Sequence, residues 1–81
     1  MSSVVFDYEE FITRFDHIGK AVADGKLTET SVTAAYDSIA SWQGADDNSL
    51  YPYDPENGIT LRKDVLYLMT CHVLTLQLWA G

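Results

Sequence analysis

The one cysteine of this 81-residue chain, Cys71, is followed directly by a histidine, His72. A thiol beside an imidazole is the pair from which cysteine nucleophiles are built. On a helix, however, neighbouring residues point about 100° apart, so this imidazole does not meet the thiol as a base. The other histidine, His17, has no second ligand at a useful spacing. We therefore expect no catalytic cysteine and no enzymatic activity.

A second group that could do chemistry is the acidic stretch of residues 46–56. Its oxygen ligands would suit a hard cation, and they are Asp46, Asp47, Asn48, Asp54 and Glu56. They lack the alternating acidic spacing and the central glycine of a helix–loop–helix calcium site. The chain also contains no phosphate-binding glycine loop and no nucleophile elbow. The sequence therefore predicts no metal site and no cofactor, and it indicates a solvated acidic loop.

Composition and charge narrow the classes of function further. The chain is 47% hydrophobic and carries a net charge of −7, which predicts one small folded domain over residues 1–81 that a phosphate backbone would repel. Residues 1–58 hold eleven acidic and three basic side chains, whereas 59–81 hold one and two. The longest apolar stretch, 65–79, is shorter than the roughly 20 residues that cross a bilayer. We expect no membrane and no specific nucleic acid as partner.

Helix signals define three elements. Asp7 can cap a first short helix that presents Phe11 and Phe15 on one face and stops near Gly19. Thr28 can cap a second helix, which Gly44 ends. Turn-forming residues then fill 44–59, and a third, long helix covers about 60–79. The sequence thus predicts an all-α small helical bundle with a long central C-terminal helix and two shorter helices.

The last helix has two apolar faces, which indicates that it is covered on opposite sides. We expect its broad face to close the subunit core and its narrow face to meet a partner or another copy. On a loop stiffened by Pro52, Tyr51 and Tyr53 are the other candidate contacts, and the equal alternative is that both rings fold back onto the short helices. The predicted core residues are Phe11, Phe15, Val32, Tyr36, Ile39, Val65, Met69, Val73 and Leu76. The predicted interface residues are Tyr67, Cys71, Leu74, Leu78, Tyr51 and Tyr53.

Four phrases of the sequence carry a family resemblance. They are VFDYEEFITRF at 5–15, LTETSV at 27–32, the helix end that contains Trp42, and LYLMTCHVLTL at 66–76. Together they resemble the small helical head-to-tail adaptor, or connector, proteins of tailed bacteriophages. The likeness spans nearly the whole chain and consists of patterned apolar positions rather than a catalytic signature. Family members usually continue past the equivalent of Trp79 into a docking segment, which we expect to be absent here.

The resemblance implies a structural virion protein of the neck, at the head–tail junction, that is present in the host cytoplasm during assembly. It implies a ring beneath the portal that extends the DNA channel and gives the stopper or tail a platform. The implied partners are the portal protein, neighbouring copies in the ring, and a stopper or tail-completion protein. The acidic composition keeps one alternative open, a small inhibitor or DNA mimic that binds a host nucleic-acid-binding protein.

Overall fold

The structure is a computed structural model that describes residues 4–45 and 49–80. Within these residues no β-strand forms, and a single isolated bridge joins Asp54 to Ile59. No helix in this part of the chain is long and apolar enough to cross a membrane. The predicted all-α bundle is confirmed, with three shorter helices before the long one rather than two. The helices are α1 Tyr8–Arg14, α2 Asp16–Ala23, α3 Glu29–Gln43 and α4 Leu61–Ala80, with a 3₁₀ turn at Pro55–Asn57.

The first predicted helix is two helices. α1 begins where expected, because the Asp7 side chain accepts a hydrogen bond from the Glu10 backbone N–H at 3.1 Å. The chain leaves helical geometry at Phe15, and α2 starts at the next residue. Gly19, which the sequence predicts as a stop, instead lies inside α2. A Cβ atom at Gly19 would lie 3.1 Å from the Ile12 carbonyl oxygen, so the glycine allows α2 to approach α1 closely.

α3 has the boundaries that the sequence predicts. The Thr28 hydroxyl accepts from the Ser31 backbone N–H at 3.1 Å, and the Ser31 hydroxyl accepts from the Thr28 N–H at 2.9 Å. This reciprocal pair is a capping box. Gly44 ends the helix with a positive φ of 87°, a conformation that costs glycine little. The long helix also lies close to its predicted range of 60–79.

The centre of the core is a cluster of aromatic rings. Phe6 stacks on Tyr36 with ring centroids 4.4 Å apart, and Tyr67 meets both Phe6 and Phe11 edge-on at 5.6 and 5.5 Å. Tyr67 is fully buried, and its hydroxyl oxygen accepts a hydrogen bond from the Asp7 backbone N–H at 3.0 Å. The predicted core positions on the first three helices are correct: four are buried, and Phe15 is partly buried against them. The four are Phe11, Val32, Tyr36 and Ile39.

The predicted use of the two faces of α4 is wrong in part: the narrow face is enclosed, and the broad face is divided between the core and solvent. Tyr67, Cys71 and Leu74, expected at an interface, are buried in the subunit core. Leu78, on the same narrow face, is partly buried against that core. Leu76, expected in the core, is 47% exposed. The remaining core predictions on α4 lie at half-buried positions: Val65, Met69 and Val73.

The hydrogen bonds made by its polar side chains explain why the narrow face is the buried one. Tyr67 brings a ring to the aromatic cluster and an oxygen to a backbone N–H of the first helix cap. Thr70, fully buried one turn away, donates its hydroxyl hydrogen to the Leu66 carbonyl at 2.7 Å. Buried polar atoms that find such partners cost little, so a face that contains them can be enclosed. The sequence prediction rests on the width of each apolar face, which takes no account of these hydrogen bonds.

The same substitution at two leucines of α4 tests which side of this helix faces the core. Leu74→Ala should lower the free energy of unfolding by about 2 to 5 kcal/mol, because it leaves a cavity in the core. Leu76→Ala should cost less than about 1 kcal/mol in dilute solution, because that side chain is half in water. Urea unfolding of both variants measures the difference. Equal losses would contradict the orientation of α4 described here.

A second prediction concerns stability in alkali. Burial raises the pKa of Tyr36 to about 12, from 10.0 when unfolded. The folded chain therefore keeps a proton that the unfolded chain loses, so this contribution is complete below pH 10 and disappears as the pH rises towards 12. The loss should be about 2 kcal/mol. Urea unfolding between these two pH values measures it, with Tyr36→Phe as the control that should show a smaller decline. An identical pH profile in both proteins would contradict the assignment.

Candidate interaction surface

One line of side chains on α4 faces away from the core. We call it the α4 stripe. Four of its members are largely apolar and substantially exposed: Leu61 at 47%, Leu68 at 58%, Leu76 at 47% and Trp79 at 81%. The half-buried Val65 and the exposed His72 complete it. Successive members are four, three, four, four and three residues apart, a mean equal to the helical period, so the stripe follows one straight line along the helix.

The charged residues of α4 are confined to its first turn. Lys63 Nζ lies 2.6 Å from Glu10 Oε1, and this hydrogen bond raises the pKa of Lys63. Asp64 Oδ1 lies 3.1 Å from Arg14 Nη1. Both cations, Arg14 and Lys63, also lie over the Tyr67 ring, at 5.2 and 5.5 Å from its centroid. Residues 65–80 contain no Asp, Glu, Lys or Arg, so the stripe beyond the first turn carries no formal negative charge.

The two tyrosines predicted as loop contacts fold towards the subunit. Arg62 Nε donates to the Tyr51 carbonyl oxygen at 2.9 Å, and the Arg62 guanidinium lies 5.9 Å from the Tyr53 ring centroid. Tyr53 packs against the core, and both tyrosines are half-buried. The loop is therefore tied to the first turn of α4. Its tyrosines offer part of their surface to a partner rather than two free rings.

The structure brings together a histidine and a cysteine that sequence spacing did not connect. His17 Nε2, on α2, lies 3.6 Å from Cys71 Sγ and 3.0 Å from Thr75 Oγ1. The Thr75 hydroxyl donates to the Cys71 carbonyl at 2.8 Å, and the His17 tautomer with hydrogen on Nε2 is the one that can donate to Thr75. A nitrogen that carries the hydrogen cannot take the thiol proton. Burial also raises the pKa of the Cys71 thiol, the opposite of what a nucleophile needs.

The described residues do not form a cluster of metal-ligating side chains. Among residues 4–45 and 49–80, no group of three or more His, Cys, Asp and Glu side chains is placed to hold an ion. Asp46, Asp47 and Asn48 lie outside the described residues. Of the other acidic residues in the loop, Asp54 accepts a hydrogen bond from the Asn57 side chain at 2.7 Å.

Regular spacing in the sequence places the members of the α4 stripe on the broad apolar face, which we expect to close the core, whereas the structure leaves all of them exposed or half-buried. The signal that separates the two faces is the placement of tyrosine and threonine. The narrow face holds Tyr67 and Thr70 next to Leu74, and their hydroxyls have partners inside the fold. The stripe holds one polar side chain, His72, whose ring the structure leaves exposed.

Comparison of the chain with protein-family models, with curated proteins and with solved structures gives no match in any of the three.

Alkylation tests the assignment of Cys71 as a structural thiol. Iodoacetamide at neutral pH should modify the folded chain at least about tenfold more slowly than the chain in denaturant, because the thiol is buried and protonated. His17→Gln should leave the slow rate unchanged, since His17 does not remove the proton. Mass spectrometry of quenched samples gives both rates. Fast modification of the folded chain, lost in the His17 variant, would contradict the assignment.

Proposed function

We propose that the protein is a non-catalytic assembly subunit, a head-to-tail adaptor of a tailed bacteriophage. In this role it forms a ring beneath the portal, extends the DNA channel, and gives the stopper or tail-completion protein a platform. Its place is the virion neck, after assembly in the host cytoplasm. The single observation that carries the proposal is the α4 stripe, an apolar face on the longest helix that the rest of the subunit leaves in water.

An exposed apolar line of this length favours protein binding as the mode of action. α4 has 20 residues, so the stripe extends over about 27 Å. Full burial of a large aliphatic or aromatic side chain contributes about 1.5 to 3 kcal/mol, of which roughly half is still unused at each exposed leucine. A protein surface that covers the stripe recovers this free energy. A ring neighbour or the portal would supply such a surface.

The acidic remainder of the molecule suits a channel component. Residues 1–58 carry a net charge of −8, and the stripe lies outside them, on α4. Carboxylates that face a channel repel the phosphates of DNA, so a duplex can pass without adhering. The buried, protonated Cys71 and the hydrogen-bonded His17 fit a protein that acts by binding rather than by catalysis.

The alternative, an acidic inhibitor that mimics DNA, receives less support. Mimicry needs carboxylates as closely spaced as phosphates, which lie about 1.7 Å apart along the duplex axis. On the exposed side of α3, Glu29 and Asp37 are eight residues apart, or about 12 Å along the helix. Other acidic side chains are engaged elsewhere: Asp7 caps α1, and Glu10 pairs with Arg14 and Lys63.

Binding to the portal of the same phage tests the proposed function. The chain should bind isolated portal rings, and Leu76→Asp should reduce that affinity about 100-fold, because a charge would be buried unpaired. Leu50→Asp is the matched control: it makes the same change at a leucine that is 92% exposed on the loop, and it should bind as the unchanged chain does. Electron microscopy and surface plasmon resonance provide the two readouts.

Three outcomes are informative. Density for the chain on the portal ring, with loss of binding in the Leu76 variant alone, would support the adaptor. Absence of binding to the portal by the unchanged chain would contradict it. Capture of a host DNA-binding protein, with an affinity that falls steeply as salt rises, would favour the inhibitor instead.

A further inference from the structure

We infer that, in the free protein, the α4 stripe pairs with the α4 stripe of a second copy, the two helices running antiparallel about a two-fold axis near residue 70. The inference rests on the proposed function in one respect, that the stripe is the docking surface. A two-fold contact uses the same patch on both copies and closes at two, so it is not a ring contact. It covers the stripe before the subunit meets its ring or portal.

The charge distribution favours the stripe over the rest of the surface for a contact between two copies. Residues 1–58 carry a large excess of acidic side chains, so two copies repel each other over most surfaces. α4 is different: its charged residues are Arg62, Lys63 and Asp64, and residues 65–80 have no Asp, Glu, Lys or Arg. The stripe is thus the surface on which two acidic copies approach with the least repulsion. Its apolar side chains also need a partner surface of the same kind.

The stripe is complementary to itself when one copy is reversed. With the axis near residue 70, Leu61 lies opposite Trp79 of the second copy, and the reverse contact forms at the other end. Val65 then lies opposite Leu76, and Leu68 opposite His72, each within one residue of the same level. All six members therefore find a partner over the full length of the helix. A straight stripe with helical periodicity allows this without supercoiling.

The antiparallel direction is favoured over the parallel one by two electrostatic effects. Antiparallel helices place the positive end of one macrodipole beside the negative end of the other. They also separate the two Asp64 carboxylates by about 18 Å along the axis, whereas a parallel pair would put them at the same level. Since Asp64 already interacts with Arg14 of its own subunit, the antiparallel pair disturbs no ion pair.

The size of the contact predicts a weak and reversible pair. The stripe is about 27 Å long and about one helix wide, roughly 10 Å, so it presents on the order of 300 Å². Standard stable interfaces use about 800 Å² on each partner. The pair should therefore dissociate on dilution. This property leaves the stripe accessible to a larger partner surface such as a portal ring.

Sedimentation velocity on the full chain tests the pairing. Between about 1 μM and about 1 mM, the sedimentation coefficient should rise from that of a monomer to that of a dimer and stop there. Leu68→Asp should weaken the dimer about 100-fold, because it buries two unpaired charges. Leu50→Asp, at the exposed loop leucine, should leave the dissociation constant unchanged. Circular dichroism of each variant establishes that it is folded.

A variant that should gain affinity separates the pairing from loss of folding. His72→Leu replaces the one polar member of the stripe with an apolar side chain, and it should tighten the dimer about tenfold. A chain that stays monomeric over the whole concentration range, or a His72→Leu variant that associates no better, would overturn the inference. Growth beyond a dimer would overturn it as well, because a two-fold contact closes at two.

Disulfide trapping establishes the direction of the helices. Leu61→Cys and Trp79→Cys chains are oxidised separately and as a mixture. The antiparallel pair predicts crosslinked dimers in the mixture alone, since residue 61 of one copy faces residue 79 of the other within the reach of a disulfide. The buried Cys71 in the unchanged chain provides the background. Crosslinking of each variant by itself would show parallel helices and overturn the proposed arrangement.

The portal experiment tests the adaptor function and the experiments above test the pairing, so either claim can be refuted without the other. A chain that binds the portal but never dimerises would refute the pairing and leave the adaptor function standing. A chain that dimerises through the stripe but ignores the portal would refute the adaptor function and leave the pairing standing.

Discussion

The burial of Tyr67 determines how the longest helix is oriented, and the other features of the subunit depend on that orientation. Its ring contacts Phe6, Phe11 and Tyr36, and its hydroxyl oxygen accepts a hydrogen bond from the backbone of Asp7 at the start of α1. The side chain thus joins the N-terminal segment, α1, α3 and α4 at one point. Arg14 and Lys63 close over its other side with their carboxylate partners. A rotation of α4 about its axis would break all of these contacts together.

One consequence of this orientation is a division of the molecule into an acidic body and a nearly uncharged apolar face. The helix that supplies Tyr67 and Leu74 to the core directs Leu68 and Trp79 towards solvent, because the two sets lie about 120° apart around it. The subunit leaves this apolar surface exposed, although a domain of this size buries only a small core. In the proposed function, the exposed face is stabilised when another protein covers it.

Much of the fold could be predicted from local signals. Asp7, Thr28 and Gly44 act within one turn of a helix end, and their effects do not depend on tertiary packing. The break at Phe15 could not be predicted, because it depends on the close approach of α2 to α1 that Gly19 permits. The two apolar faces of α4 could also be predicted from the sequence. Which of them is buried could not be predicted, because it depends on partners distant in the chain, such as the Asp7 backbone for Tyr67. For the same reason, the contact between His17 and Cys71 had no local signal.

The central claim is that the stripe faces water in the isolated subunit and becomes covered when two copies meet. Trp79 reports on this directly, because it is 81% exposed at the end of the stripe, and the other tryptophan, Trp42, is 77% exposed on α3. Iodide quenching of Trp79 fluorescence in a Trp42→Phe chain, followed from dilute to concentrated solution, measures its coverage. The account predicts free quenching when dilute and protection when concentrated, while Trp42 in a Trp79→Phe chain stays quenchable throughout. Protection of Trp79 already in the dilute monomer, or none at any concentration, would contradict it.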